Sequence, residues 1–363
     1  MTLESVEAFP VRVKMKDRLL AGTFRYEDYQ SVLVRTVWNG VPGWGEAMTR
    51  FSAEATAGLV RWAGHHLEGR DFPRPEAAWE DVYRQFRVRG QTRGIAMEAL
   101  SGVEMSLWDA WGRIKGKSIA RLLSARSSAS VSAYAGSIFE SRGPISEQIE
   151  WVKSLGLKGV KLKVGFGVAK DTRILAQARR RWGDGMMVAD ANGAYDAKSA
   201  SKAMERFERF RLAWLEEPVP SDDFDGYAAI AKGRKVKVGA GETWYAGDFA
   251  RPISGGLVDV VEPSVSRCGG IACEARVARE ASKRGIEFSP MVGANSALSL
   301  AASVQVAAAM GSIGVEYDAF DNPLVHQLAP GFPELSAGRI AAPRGPGLGV
   351  EVDPRFIKAN LVG

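Results

Sequence analysis

Long apolar runs are missing from this sequence. None approaches the roughly 20 residues a membrane-spanning helix requires, so no membrane partner is expected. The opening stretch, MTLESVEAFPVRVKMKD, lacks a cleavable apolar core, so no signal peptide is expected and the chain is assigned to the cytoplasm. Cysteine is nearly absent. The two present, Cys268 and Cys273, sit in CGGIAC, a spacing that fits no metal-binding pattern, and two reduced, packed thiols are the expectation. Histidine is almost as scarce: His65 and His66 fall in a helical stretch and are expected at the surface, and His326 follows the last strand. A basic stripe with stacking aromatics is also lacking. The net charge is +6, but Arg84, Arg87, Arg89 and Arg93, and again Arg179, Arg180 and Arg181, are interleaved with acids and apolar residues as on a solvated helix face. Nucleic acid is therefore not an expected partner, and the positive field would instead attract an anionic small molecule.

What remains is the composition of an ordinary globular protein, 46% apolar and 25% charged, in 363 residues. That length fits a barrel of roughly 250 residues plus about 100 more. Residues 1–50 read as strands, with partial alternation over Val6–Lys16, a β-branched run at Ser31–Val37, and a sharp turn through Gly40 and Gly43 in GVPGWGEA. From Ala53 to about Leu123 the period becomes helical, as in TRGIAMEALSGVEMSLWDAWGRI. Strands followed by helices predict a separate α+β unit over 1–125.

From about residue 130 short apolar strands alternate with amphipathic helices. The strands are VSAYAG, GVKLKVG, MMVADAN, LAWLEEP, VKVGAGE, LVDVVEPS, IEFSPMV and IGVEYDA. Eight βα units in sequence predict a parallel sheet closed into a (β/α) barrel over 126–324, capped by the α+β domain. The tail over 325–363, Gly/Pro-rich with a strand-like end in GVEVD, is expected to pack back on the cap.

Active sites of such barrels lie at the carboxyl ends of the strands. The third, fourth and fifth strands end in Asp190, Glu216 and Glu242, spaced 26 and 26 residues apart, one βα unit each. Three converging carboxylates cannot all stay ionised in a partly dry site unless a hard cation neutralises them, and an oxygen-only ligand set suits Mg²⁺. The second strand ends in Lys161-Leu162-Lys163, whose alternation points both ammonium groups to the same side. Mutual repulsion beside a dication would depress their pKa and make a neutral amine base available. Such a base would remove a proton next to a substrate carboxylate, with Mg²⁺ stabilising the enediolate that forms. Tyr245, just after Glu242, is a further candidate for lining the pocket.

Taken in order, ALSGVEMSLWDAWGRIKGKS, KLK, DAN, EEP, GET, EPSVSRCGG, VEYDAFDNPL and PGLGVEVD resemble the enolase superfamily, in its mandelate racemase/muconate-lactonizing branch, from end to end. The resemblance implies a modified TIM barrel with a capping domain and metal ligation by Asp190, Glu216 and Glu242. It implies Lys163 as base, Lys161 as its helper at the substrate carboxylate, Asn192 near metal and substrate, and Glu316 as a hydrogen-bond partner of that carboxylate. Cap segments Leu20–Asp28 and Glu46–Ala53 would close over the mouth, so that Arg25, Tyr26, Arg50 and Phe51 help select the substrate.

One departure bears on the reaction. Where relatives carry a second acid/base on strands 6 and 7, this chain has Ser264 and, at or next to the strand-7 position, Met291. Neither carries protons near neutral pH, so chemistry on one face is expected. The expected activity is that of a carbon–oxygen lyase, a sugar-acid dehydratase. The alternatives are a cycloisomerase, a racemase or epimerase of the same superfamily, or a catalytically altered metal-binding homologue. The expected partner is a small carboxylate, and the expected assembly a homo-oligomer.

Overall fold

The computed structural model describes residues 1–21 and 24–362, leaving the side chains of residues 17, 18, 21 and 24 outside the description. The N-terminal alternation forms an antiparallel meander of β1 (Leu3–Ala21), β2 (Phe24–Trp38) and β3 (Val41–Met48). Four helices follow: α1 (Ala53–Leu67), α2 (Pro75–Arg87), α3 (Ile95–Ile114) and α4 (Ile119–Leu123). The expected turn through Gly43 is not where the chain turns. Asn39 and Gly40 turn it, with φ of 51° and 75°, and Gly43 lies inside β3. A Cβ on Gly43 would come within 2.2 Å of the Ser106 carbonyl oxygen, so this glycine serves close contact between β3 and α3.

The barrel strands are β4 (Ser130–Ile138), β5 (Gly159–Lys163), β6 (Met186–Asp190), β7 (Leu215–Glu216), β8 (Val238–Ala240), β9 (Val260–Val261), β10 (Glu287–Phe288) and β11 (Val315–Asp318). The helices between them are α5 (Ile145–Ser154), α6 (Val168–Trp182), α7 (Ala197–Phe207), α8 (Phe224–Ala231), α9 (Ala250–Gly255), α10 (Ile271–Ser282) and α11 (Ala297–Met310). Strands β4 to β10 lie side by side in parallel, and β11 pairs with β4. Backbone hydrogen bonds from Ile313 N to Phe288 O (3.0 Å) and from Glu316 N to Pro290 O (3.3 Å) join β10 to β11 and close the ring. The fold is a (β/α) barrel with an N-terminal capping domain. Among the described residues no helix is long and apolar enough to cross a membrane.

The tail divides its contacts. After α12 (Pro323–His326), the hairpin of β12 (Leu335–Ser336) and β13 (Arg339–Ala341) adds to the start of β4, so this part extends the barrel sheet. Only beyond it does the chain return to the cap, where Leu348 N donates to Asp109 Oδ1 (2.7 Å) and Val362 N to Pro10 O (2.9 Å). The strand-like end, Val350–Val352, forms no strand; α13 (Pro354–Asn360) follows it.

Two buried glutamates fasten the cap to the barrel. Glu46 of β3 accepts the Ser296 N–H (2.9 Å) and hydroxyl (2.7 Å) at the start of α11. Glu104 of α3 accepts the N–H groups of Ile271 (2.7 Å) and Ala272 (2.9 Å) in the first turn of α10. Each acid satisfies helix donors that have no partner within their own helix, at the end of the dipole that favours negative charge.

Candidate active site

Each strand of the barrel delivers its last residues to one end. Asp190 closes β6, Glu216 closes β7, and Glu242 follows β8 by two residues. Gly241 makes that extension possible: its φ is 140°, and a Cβ would press within 2.9 Å of Glu262 N. One oxygen from each of the three carboxylates lies within 4.8 Å of the others.

The lysines of β5 sit against this cluster, both buried. Lys161 Nζ lies 3.1 Å from Glu216 Oε1 and 2.9 Å from Glu316 Oε1. Lys163 Nζ donates to Asp190 Oδ2 and, at 2.9 Å, to Asn192 Oδ1. Asn192 in turn donates through Nδ2 to Glu242 Oε1 (2.9 Å). Glu316, on β11, also accepts the Gly293 N–H (3.1 Å), and it fills space that a Cβ on Gly136 would need. Seven candidates from the sequence therefore meet at one point.

Set by the protein's own side chains, both lysine pKa values are shifted upward. Burial pushes Lys161 down, but Glu216, Glu316 and Asp190 outweigh it and hold the ammonium well above its usual range. Burial, the largest effect, likewise pulls Lys163 down, and Asp190 and Glu242 together outweigh it and the repulsion from Lys161. The nearby anions, not the neighbouring ammonium, decide the sign. Among the acids, burial raises Glu216, reinforced by Asp190 and Glu262, whereas the two lysines overcome burial and hold Asp190 low. Both Glu216 oxygens lie 3.1 Å from the Lys161 ammonium, which also serves Glu316 at 2.9 Å. Three carboxylates converging on one point with oxygen as the only donor atom fit a bound dication.

The cluster opens into a cavity of about 600 Å³ lined by Lys161, Lys163, Asn192, Glu242 and Glu316, and from the cap by Met15, Leu19, Tyr26, Arg50 and Phe51. Two of the expected substrate contacts lie outside it. Arg25 is exposed and borders a small side cleft, while its strand neighbour Tyr26 reaches the cavity, as alternation along β2 requires. Tyr245 lines a separate chamber, with its ring 5.6 Å from the Arg93 guanidinium and its hydroxyl 3.5 Å from Glu98 Oε1. Of the segment 20–28, residues 22 and 23 lie outside the described residues.

On the side of β9 and β10, Ser264 is fully buried with its hydroxyl 3.3 Å from that of Ser266 and does not line the cavity; Met291 does. No histidine lines the cavity among the described residues. His66 is bound to Asp81 (2.8 Å), and His326 contacts the Phe320 carbonyl (3.0 Å).

The cavity also holds groups the sequence reading passed over. Glu217 bonds Thr243 Oγ1 (2.5 Å), and burial, helped by Glu242, pushes its carboxyl up to about 8. Asp318 ends β11, and burial raises it to about 6 against the pull of Arg142. Its position two residues after Glu316 puts it on the same strand face, a signal that alternation alone carried. Arg142 comes from the loop after β4 and stacks 3.8 Å from the Phe320 ring centroid, which no local pattern announces.

The sequence and the fold have known counterparts. The family description "Mandelate racemase / muconate lactonizing enzyme, N-terminal domain" matches residues 6–124, and "Enolase C-terminal domain-like" matches residues 145–356. The chain is 31% identical over 372 residues to D-galactarolactone cycloisomerase of Agrobacterium fabrum, covering 97% of each protein. It is 30% identical over 285 residues to arabinonate dehydratase of Saccharolobus solfataricus, covering 76% of this chain and 75% of that one. A Bradyrhizobium enolase, solved with magnesium and mandelic acid, superposes with a TM-score of 0.88 at 26% identity, over 100% of this chain and 99% of the other. Its cap, its barrel and its sequence place this chain in the enolase superfamily, within the mandelate racemase/muconate-lactonizing branch.

Proposed function

We propose that the protein is a Mg²⁺-dependent enzyme that removes the α-proton of a sugar acid and breaks the carbon–oxygen bond at the β-carbon. The observation that carries this reading is the one-sided placement of bases. Lys161 and Lys163 line the cavity from β5, whereas the side of β9 and β10 presents Met291 and hides Ser264. Asp190, Glu216 and Glu242 would hold the ion. When bound, Mg²⁺ supplies the positive charge that stabilises the deprotonated substrate carboxylate and draws the field of Asp190 away from Lys163.

The rest falls to side chains of this chain. Lys163, steered by Asn192, takes the α-proton at Nζ. Lys161, held between Glu216 and Glu316, keeps its charge and faces the substrate carboxylate. Met15, Leu19 and Met291 exclude water. If the β-oxygen is a hydroxyl, the product is a 2-keto-3-deoxy acid and the reaction a dehydration. If it is the ring oxygen of a lactone, the ring opens and the reaction is a cycloisomerisation. A lactone oxygen leaves as a carboxylate and needs no proton, and the full-length similarity to a lactone cycloisomerase favours this second outcome. Incubating acid sugars and their lactones in D₂O with and without Mg²⁺, followed by NMR, tests the proposal. Metal-dependent loss of the α-proton with a keto-deoxy product is expected; unchanged turnover in metal-free protein refutes it.

A further inference from the structure

Most cations of the cavity are matched. Lys161 faces Glu216 and Glu316, Lys163 faces Asp190, and Arg267 donates to Glu98 Oε1 (3.1 Å) and to the Glu242 carbonyl (3.2 Å). Arg50 is different. No described carboxylate lies within ion-pairing distance of it, and its one hydrogen bond among the described residues is a long one, from Nη2 to the Gly293 carbonyl at 3.4 Å. A guanidinium carries five donors in a planar fork, so most of this group's capacity is open. Yet Arg50 is partly buried and lines the 600 Å³ cavity, as well as the 350 Å³ chamber beside it.

The backbone that carries Arg50 is held from both sides. Just before it, Met48 N donates to the Ser266 carbonyl of the barrel (3.1 Å); just after it, Ser52 caps α1 by accepting from Ala55 N (3.2 Å). The charge is thus presented from a fixed position on the cap, whereas the carboxylate cluster and lysines belong to barrel strands. A substrate whose reacting carboxylate sits at the lysines presents its other end toward the cap. A hydroxymethyl group there would leave the Arg50 charge unmatched; a second carboxylate would match it, two oxygens to two N–H groups.

We propose that Arg50 determines specificity by binding a second carboxyl group at the far end of the substrate, so that the preferred substrate has an aldaric skeleton, acidic at both ends. This rests on the reading of the site as a sugar-acid eliminase and narrows it. If a lactone opens there, the carboxylate it releases is the group Arg50 receives.

The test uses matched hexaric and hexonic acids of the gluco, galacto and manno series, which differ only in the terminal group. Their dissociation constants are measured by calorimetry in saturating Mg²⁺. At least one hexarate should bind wild-type protein about 10–100-fold more tightly than its hexonate, the usual worth of a charge-assisted contact. In Arg50→Leu that ratio should fall to near one, and Arg50→Lys should keep part of it. The thermal midpoint of Arg50→Leu should match wild type, since one long hydrogen bond is all it loses. If no hexarate outbinds its hexonate, or if the ratio survives in Arg50→Leu, the proposal is overturned. Proton exchange in D₂O keeps the two readings apart. Arg50-dependent hexarate binding without exchange would sink the elimination and leave this inference standing; exchange without an Arg50-dependent ratio would do the reverse.

Discussion

Glu104 is the sharpest place to test how the cap is fastened over the cavity. It is fully buried in α3 and accepts two backbone N–H groups at the start of α10. Burial pushes its carboxyl up from 4.5 to about 8, with the two N–H groups pulling the other way. A folded pKa above the unfolded one means that the contribution to stability is fully present below about pH 4.5 and is lost progressively up to about pH 8. The whole rise corresponds to about 5 kcal/mol. Glu104→Gln keeps the shape and one acceptor oxygen but has nothing to titrate. Relative to wild type it should therefore gain stability as pH rises, to an advantage of several kcal/mol at pH 9. Glu104→Ala removes both acceptors and should cost about 2–6 kcal/mol, for two buried donors left unpaired. Urea unfolding at pH 5, 7 and 9, followed by tryptophan fluorescence, reads all three proteins. A Gln–wild-type difference that does not change between pH 5 and 9 would refute the burial argument.

Three further outcomes concern the chemistry. Lys163→Ala should lower kcat by about 10²–10⁴-fold, the usual worth of a positioned base, and near-normal turnover would move the base elsewhere. Mg²⁺ should raise the thermal midpoint of wild-type protein, because it binds the folded cluster and not the dispersed acids. Glu216→Gln should remove that rise and abolish activity, with the far-UV circular dichroism unchanged; a metal response that persists would place the ion at other ligands. All proton traffic should stay on the Lys163 face, so substrate recovered from D₂O should carry deuterium with retention, and inversion detected by NMR would reveal a second base.

How far the sequence could lead depended on whether a feature was periodic. The barrel was legible because eight short strands recur with helices between them, and β4 to β11 fall where VSAYAG through IGVEYDA stand. The convergence of the three carboxylates was legible for the same reason: in a barrel, acids one βα unit apart are forced to neighbouring strand ends, and Asp190, Glu216 and Glu242 are. Alternation placed Lys161 and Lys163 together, and the same rule applied one step further would have found Asp318 from Glu316. Residues on irregular backbone escaped. Tyr245 follows Glu242 by three positions but turns into the chamber beside Glu98, and Arg142 reaches the cavity from a loop. Glycine misled where two roles share one residue: Gly40 turns the chain, whereas Gly43 yields space to α3. Electrostatics was least legible, because its sign depends on distances that no spacing encodes. Two adjacent lysines suggest mutual repulsion, yet each ammonium lies closer to a carboxylate than spacing could reveal, and the attraction prevails. The same distances make the proposed ion consequential, since charge placed on Asp190 and Glu216 acts on the very anions that hold both lysines protonated.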